Sequence, residues 1–190
     1  MDGHDPLSNP TVLVVDDERD LARLYADQLD DDYDVRVAHD GASALEELDH
    51  TVDVVLLDRR MPEISGDMVL ERLRERGFDC RVVMVTAIDP DLDVVELPFE
   101  AYLTKPIDGQ ELNEAVNEQL IYATYDDKIR EYTRVRSKID VLREHEPDWI
   151  LEDDERFERL RLLADSIKED IESLLEDHER HVSGEASEDG

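Results

Sequence analysis

Four short apolar runs each end in polar residues suited to phosphate and metal chemistry. Val12–Val15 runs into Asp16-Asp17, Asp53–Leu57 into Asp58, Val82–Val85 into Thr86, and Ala101–Thr104 into Lys105-Pro106. Three carboxylates, a hydroxyl and an ammonium would therefore meet if these runs were strands of one sheet. Close carboxylates repel, which raises at least one pKa unless a cation lies among them. A hard divalent ion with oxygen ligands and retained waters, Mg²⁺ first, relieves that repulsion. The metal, Lys105 and Thr86 could then neutralise or hydrogen-bond the equatorial oxygens of a transferring phosphoryl group. An aspartate not chelated through both oxygens can act as nucleophile and form an aspartyl phosphate. Singly, each aspartate is ordinary surface decoration in a chain with 30 of them. The inference rests on the joint pattern.

The elements that must position these groups alternate in period. Thr11–Val15, Val35–Ala38, Asp53–Asp58, Arg81–Thr86 and Ala101–Thr104 read as five strands. Helical spacing separates them: Leu21, Leu24, Tyr25 and Leu29, then Ala44, Leu45 and Leu48, then Met68, Val69, Leu70 and Leu73, closed by Gly77. Near-continuous apolar strands between amphipathic helices predict a doubly wound, five-stranded parallel sheet covered on both faces. Ligands bind such a sheet at the carboxyl ends of its strands, where the five groups fall. Between Thr86 and Ala101, Pro90 and Pro98 leave room for two turns at most, which predicts a short or irregular fourth helix.

The second half changes character. From Ile107 to about His145 there is no proline, and Tyr122, Tyr125, Ile129, Tyr132, Val135, Ile139 and Leu142 recur at spacings of mostly three and four. Glu146-Pro147-Asp148 breaks this helix. A second begins near Glu152, with Phe157, Leu160, Leu163, Ile167, Ile171, Leu174 and Leu175 inward. The acids at Glu152–Glu155 suit a helix N-terminus. The reading is an all-α coiled-coil hairpin over 121–181, between a folded 11–120 and a disordered tail at 182–190, with residues 1–10 flexible.

The 53 acidic and 21 basic residues give a formal net charge of −32. Phosphate backbones would be repelled by the average surface, which excludes a generally basic nucleic-acid binder. The acid is spread over both halves and only four basic residues are Lys. Salt screens self-repulsion, so this composition suggests a salt-rich cytosol. No apolar run approaches the length of a membrane span, no signal peptide is read, and Cys80 alone excludes an internal disulfide. The expectation is cytoplasmic.

The segments VLVVDDE at Val12–Glu18, VVLLDRRMPEISG at Val54–Gly66, VVMVTA at Val82–Ala87 and YLTKP at Tyr102–Pro106 resemble the receiver domain of two-component response regulators, a flavodoxin-like fold, over about residues 11–120. The resemblance implies that Asp58 is the phospho-acceptor. It implies Mg²⁺ as cofactor, bound by Asp17, by Asp58, by Asp16 directly or through water, and by the backbone carbonyl of Arg60. It further implies Thr86 as switch hydroxyl, Tyr102 as the aromatic that follows it, Lys105 as the phosphoryl-binding lysine, a cis Lys105–Pro106 bond, and a sensor histidine kinase as partner. Pro62 and Gly66 would shape the loop after Asp58. The second half resembles the HalX-type C-terminal region of haloarchaeal receivers. Together these readings give a signalling switch, not a turnover enzyme, that homodimerises through its C-terminal helices.

Two alternatives have their own residues. Lys128, Arg130, Arg134, Arg136, Lys138 and Arg143 make the one clearly basic segment, which could contact DNA as a transcriptional regulator. We favour a solvated flank pairing with the acidic second helix through Glu152–Glu158. A Mg²⁺-dependent aspartyl phosphatase would place a second acid two residues after its nucleophile, whereas Asp58 precedes Arg59-Arg60. His178 and His181 lack an evident third metal ligand and read as surface residues. Cys80 reads as inert, and Trp149 as packed into the helix–helix corner.

Overall fold

The computed structural model describes residues 10–87 and 97–185. The chain divides into two compact units after Leu120. In the first unit, β1 (Thr11–Val15), α1 (Arg19–Leu29), β2 (Asp34–Ala38), α2 (Gly41–Glu47), β3 (Val54–Leu57), α3 (Gly66–Glu75), β4 (Arg81–Thr86) and β5 (Ala101–Thr104) alternate as the periodicity predicts. The strands form one all-parallel sheet in the order β2-β1-β3-β4-β5. The order reverses direction at β1, so the ends of β1 and β3 lie side by side. The register Val15↔Leu57 sets Asp16 and Asp58 level with each other, and Thr86↔Thr104 brings Lys105 to the same edge.

Successive side chains of a strand point to opposite faces, so each strand feeds two cores. Leu13, Val15, Val55, Leu57, Val82 and Met84 pack with Ala44 of α2 and Val69, Leu70 and Leu73 of α3. Val12, Val14, Val54, Leu56, Val83 and Val85 pack with Ala22, Tyr25 and Leu29 of α1 and with Leu112, Val116 and Leu120 of α4 (Gly109–His145). Asp40 caps α2 by accepting the Ser43 N–H at 2.8 Å. Asp108 caps α4 by accepting the Glu111 N–H at 2.9 Å. The expected fourth helix falls mostly on residues 88–96, outside the described residues, as do residues 1–9.

The second unit holds the rest of α4, a short α5 (Asp148–Glu152) and α6 (Glu155–Glu185). Tyr125, Tyr132, Val135, Ile139 and Leu142 meet Leu151, Phe157, Leu160, Ala164, Ile167 and Ile171 within one chain. Lys128, midway along α4, bonds Asp170, midway along α6, at 2.7 Å, an ion pair between the two arms of the hairpin. Asp154 begins α6 by accepting the Arg156 N–H on its side chain at 2.8 Å.

Several expectations need correction. Leu163 and Leu175 are each 43% exposed, because the buried stripe Phe157, Ala164, Ile167 and Ile171 runs one residue out of phase with them. Tyr122 and Ile129 are exposed as well, although they keep the spacing of three and four that Tyr125, Tyr132 and Val135 follow. Trp149 is 70% exposed and lines an open cleft of about 520 Å³ with Arg156 and Arg159. Leu151 turns inward instead, and residues two apart on a helix face nearly opposite ways. The helix continues to Glu185, past the 181/182 boundary expected for the tail; residues 186–190 and the side chains of His178 and His181 lie outside the described set. Among the described residues, no helix is long and apolar enough to cross a membrane.

Candidate functional site

The structure brings the strand-end groups together. Carboxylate oxygens of Asp16, Asp17 and Asp58 lie within 4.8 Å of one another. Asp16 is 2% and Asp58 7% exposed, while Asp17 is open to solvent. The Lys105 ammonium sits 2.6 Å from Asp16 Oδ2 and 3.6 Å from Asp58 Oδ1. The other Asp16 oxygen accepts the Glu18 N–H at 2.9 Å, which fixes the carboxylate at the entrance to α1. The Lys105–Pro106 peptide is cis.

Burial raises the Asp58 carboxyl above the ordinary carboxylate range. Lys105 and the Arg60 backbone N–H lower it, and Asp16 and Asp17 raise it again. Burial alone would lower the Lys105 ammonium, but its hydrogen bond to Asp16 and the charges of Asp58 and Asp16 outweigh that and hold it raised. Oxygen-only donors converging on one opening, two buried and one wet, match what a hard divalent cation requires.

Thr86 is 1% exposed, and its hydroxyl oxygen has no hydrogen-bond partner among the described residues. A buried hydroxyl left unpaired is costly. It stands at the end of β4, beside β3 and its Asp58. Tyr102 lies on β5 opposite Met84, half-buried against the α2–α3 core. Gly66 is obligatory here: a Cβ on it would fall 2.3 Å from the Asp58 carbonyl oxygen. Its N–H bonds the Arg59 carbonyl at 2.9 Å, folding the loop after Asp58 tightly onto the start of α3.

Two residues near the site were not singled out from the sequence. Tyr25, 2% exposed on α1, feels the charges of Lys105, Asp16 and Asp58, and burial raises its phenol. Its position two turns beyond Asp17 was the available signal. Arg59 pairs with Asp67 through Nε at 3.1 Å, and adjacency to Asp58 was its only mark. The basic segment does pair with the acidic second helix, but at Asp170 and not through Glu152–Glu158. Lys128 pairs with Asp170, and Arg130 and Arg136 pair with Asp127 and Asp140 on their own helix. Glu155 and Glu158 serve Arg159 and Arg161 of α6. For Arg130, Arg136, Arg159 and Arg161, acids three or four residues away on the same helix are within reach. Cys80 is buried, and burial pushes its thiol up to about 11.

A doubly wound parallel sheet whose carboxyl edge gathers three aspartates, a lysine and a free hydroxyl defines a receiver domain. The model of the response regulator receiver domain matches residues 12–117, and that of the HalX domain matches residues 122–184; the chain belongs to the response regulator receiver family and carries a HalX domain. A Haloferax volcanii protein named as a candidate transcriptional regulator is 44% identical over 172 residues, covering 90% of this chain and 29% of its own. The transcriptional regulatory protein CpxR of Klebsiella pneumoniae is 43% identical over 53% of this chain and 45% of its own. The chain thus spans less than half the length of these curated relatives. The Francisella response regulator 1452 receiver domain superposes with TM-score 0.55 at 30% identity, covering 60% of this chain and 99% of that one. Response regulator TrrA of Thermotoga maritima, solved in complex with Mg²⁺ and beryllium fluoride, gives 0.52 at 30% identity, covering 58% and 98%.

Proposed function

We propose that Asp58 accepts a phosphoryl group from a sensor histidine kinase and that the chain relays the change as a switch, without catalytic turnover. The observation that carries this reading is the buried Asp58 carboxylate facing Lys105, with the unpartnered Thr86 hydroxyl at the same strand-end edge. One Asp58 oxygen attacks the phosphorus of the kinase's phosphohistidine. The P–N bond breaks, the imidazole leaves with a proton, and an acyl phosphate forms. Mg²⁺, held by Asp17, Asp58, Asp16 directly or through water, and the Arg60 carbonyl, would supply charge neutralisation at the phosphoryl oxygens. Lys105 offers its ammonium to the same oxygens, and Thr86 gains its missing hydrogen bond. The movement of Thr86 frees space that the Tyr102 ring follows, biasing a two-state receiver. The TrrA complex with a metal and a phosphoryl mimic supports this reading by analogy.

The test is labelling by a small phosphodonor such as acetyl phosphate with Mg²⁺. The wild type should label and Asp58→Asn should not; undiminished labelling of the variant refutes the site. Steady turnover of a phosphomonoester would favour the phosphatase reading instead.

For output we propose a homodimer through α4 and α6. The inner stripe of the hairpin is filled within one chain, so pairing would use outward apolar residues such as Ile129 and Leu163. Sedimentation at tens of micromolar in high salt should give a dimer, and a monomer removes this claim. DNA contact through Arg134, Lys138 and Arg143, which have no ion pair among the described residues, is the weaker alternative against the chain's net charge. A salt-dependent shift of specific DNA that Arg134→Ala abolishes would restore it.

A further inference from the structure

The turn between α4 and α6 carries the most exposed large apolar side chain among the described residues. Trp149 is 70% exposed, and its neighbour Ile150 is 37% exposed. Both stand on α5, which is held at each end. The Pro147 carbonyl accepts the Ile150 N–H at 3.0 Å, and the Leu151 carbonyl accepts the Asp154 N–H at 3.3 Å, leading into α6. Leu151 itself is buried in the hairpin core. Trp149 is therefore presented from a fixed turn, beside an open cleft of about 520 Å³ that Ile150 and Asp153 also line.

The free charge around this apolar pair has one sign. Glu144, Glu146, Glu152, Asp153 and Glu155 are all exposed. The two arginines that line the cleft are spent within the chain, Arg156 on Asp154 and Arg159 on Glu155. Glu144, Glu146, Glu152 and Asp153 have no ion pair among the described residues.

We propose that the hairpin tip is a docking surface for a basic polypeptide segment with an apolar face. Its apolar side chains cover Trp149 and Ile150, and its lysines or arginines meet the acidic rim. An aromatic side chain buries about 150–250 Å² when covered, and tryptophan is among the residues that dominate interface energetics. At about 1 M salt, exposed charges are screened beyond about 3 Å, whereas apolar contact persists. The apolar pair thus supplies affinity in a salt-rich medium, and the rim selects the sign of the partner. A second copy presenting the same tip, or a nucleic acid, brings like charge and is disfavoured. Because Leu151 already fixes α5, little ordering cost falls on this side of the interface. The surface belongs to the second unit, and the proposal holds whether or not Asp58 accepts a phosphoryl group.

Trp149 is the only tryptophan of the chain, so its emission reports on this surface alone. The full chain, in about 1 M KCl to screen diffuse attraction to its net charge, is titrated with three synthetic helical peptides of one amphipathic pattern. They combine lysine with leucine, lysine with serine, and glutamate with leucine. Only the lysine–leucine peptide should move the emission to shorter wavelength and saturate. Ile150→Ala, and separately Glu152→Lys with Asp153→Lys, should each weaken that titration about tenfold. All three positions are exposed, and circular dichroism checks that the fold is kept; if the charge-reversed variant does not fold, Ile150→Ala carries the test. No shift with the lysine–leucine peptide, an equal shift with either of the other two, or undiminished binding by the folded variants overturns the proposal. A shift that grows with protein concentration without any peptide gives the surface to a second copy and overturns it as well.

Discussion

Replacing Asp58 by asparagine should stabilise the fold in the absence of divalent metal. At an effective dielectric of about 20, two unit charges separated by the 4.8 Å that bounds the aspartate cluster repel by about 3.5 kcal/mol. Asp58 faces two such neighbours. The attraction of Lys105 at 3.6 Å returns about 4.6 kcal/mol on the same scale. The balance opposes the Asp58 charge by about 2 kcal/mol, before its burial is counted, and the exposure of Asp17 screens part of it. Asp58→Asn should therefore gain about 1–2 kcal/mol, or about 2–8 °C in melting temperature for a chain of this size. The assay is thermal denaturation at pH 7 in EDTA, followed by circular dichroism. The pH dependence has a definite sign. A carboxyl raised in the folded state binds its proton more readily folded than unfolded, so its penalty is present above the folded pKa and fades as pH falls through it. The gap between variant and wild type should narrow on acidification. Saturating Mg²⁺ should close or reverse it, because a hundredfold excess over Kd stabilises the wild type by about 2.7 kcal/mol, more than the gap itself. A variant no more stable than the wild type in EDTA would show that the three carboxylates do not oppose one another, and the electrostatic account of the site would fall.

The other expectations are simpler. Gly66→Ala forces a methyl against the Asp58 carbonyl and should cost about 1–3 kcal/mol in urea denaturation, with slower labelling of Asp58. Ile139→Ala, at a position 1% exposed in the hairpin seam, should cost about 2–5 kcal/mol, whereas Leu162→Ala, 59% exposed, should stay within about 0.5 kcal/mol. Cys80, buried and raised to about 11, should react with a thiol reagent at pH 8 only after denaturation; prompt reaction of the native protein contradicts its burial.

The strand ends could be read from the chain because each buried parallel strand is nearly all apolar, so the first polar residue after it stands out. Asp16, Asp58, Thr86 and Lys105 were each found that way. The hairpin was half legible. Spacings of three and four reveal a stripe, but the same stripe serves pairing within a chain and between chains. A shift of one residue moves Leu163 from seam to solvent. Trp149 misled because size suggests burial, while a one-turn helix can bury only one side and chose Leu151. Charge pairing across the hairpin was legible in part: Lys128 meets Asp170 of the second helix, while Arg130 and Arg136 meet acids on their own helix.

The resting place of Lys105 has a consequence of its own. Its ammonium is docked on Asp16, one ångström closer than on Asp58, and Asp16 in turn is moored by the Glu18 amide. Asp16 therefore acts as a berth, keeping a counter-ion beside the Asp58 carboxylate without quenching it. An arriving anion finds that cation a short swing away, already stripped of most of its water.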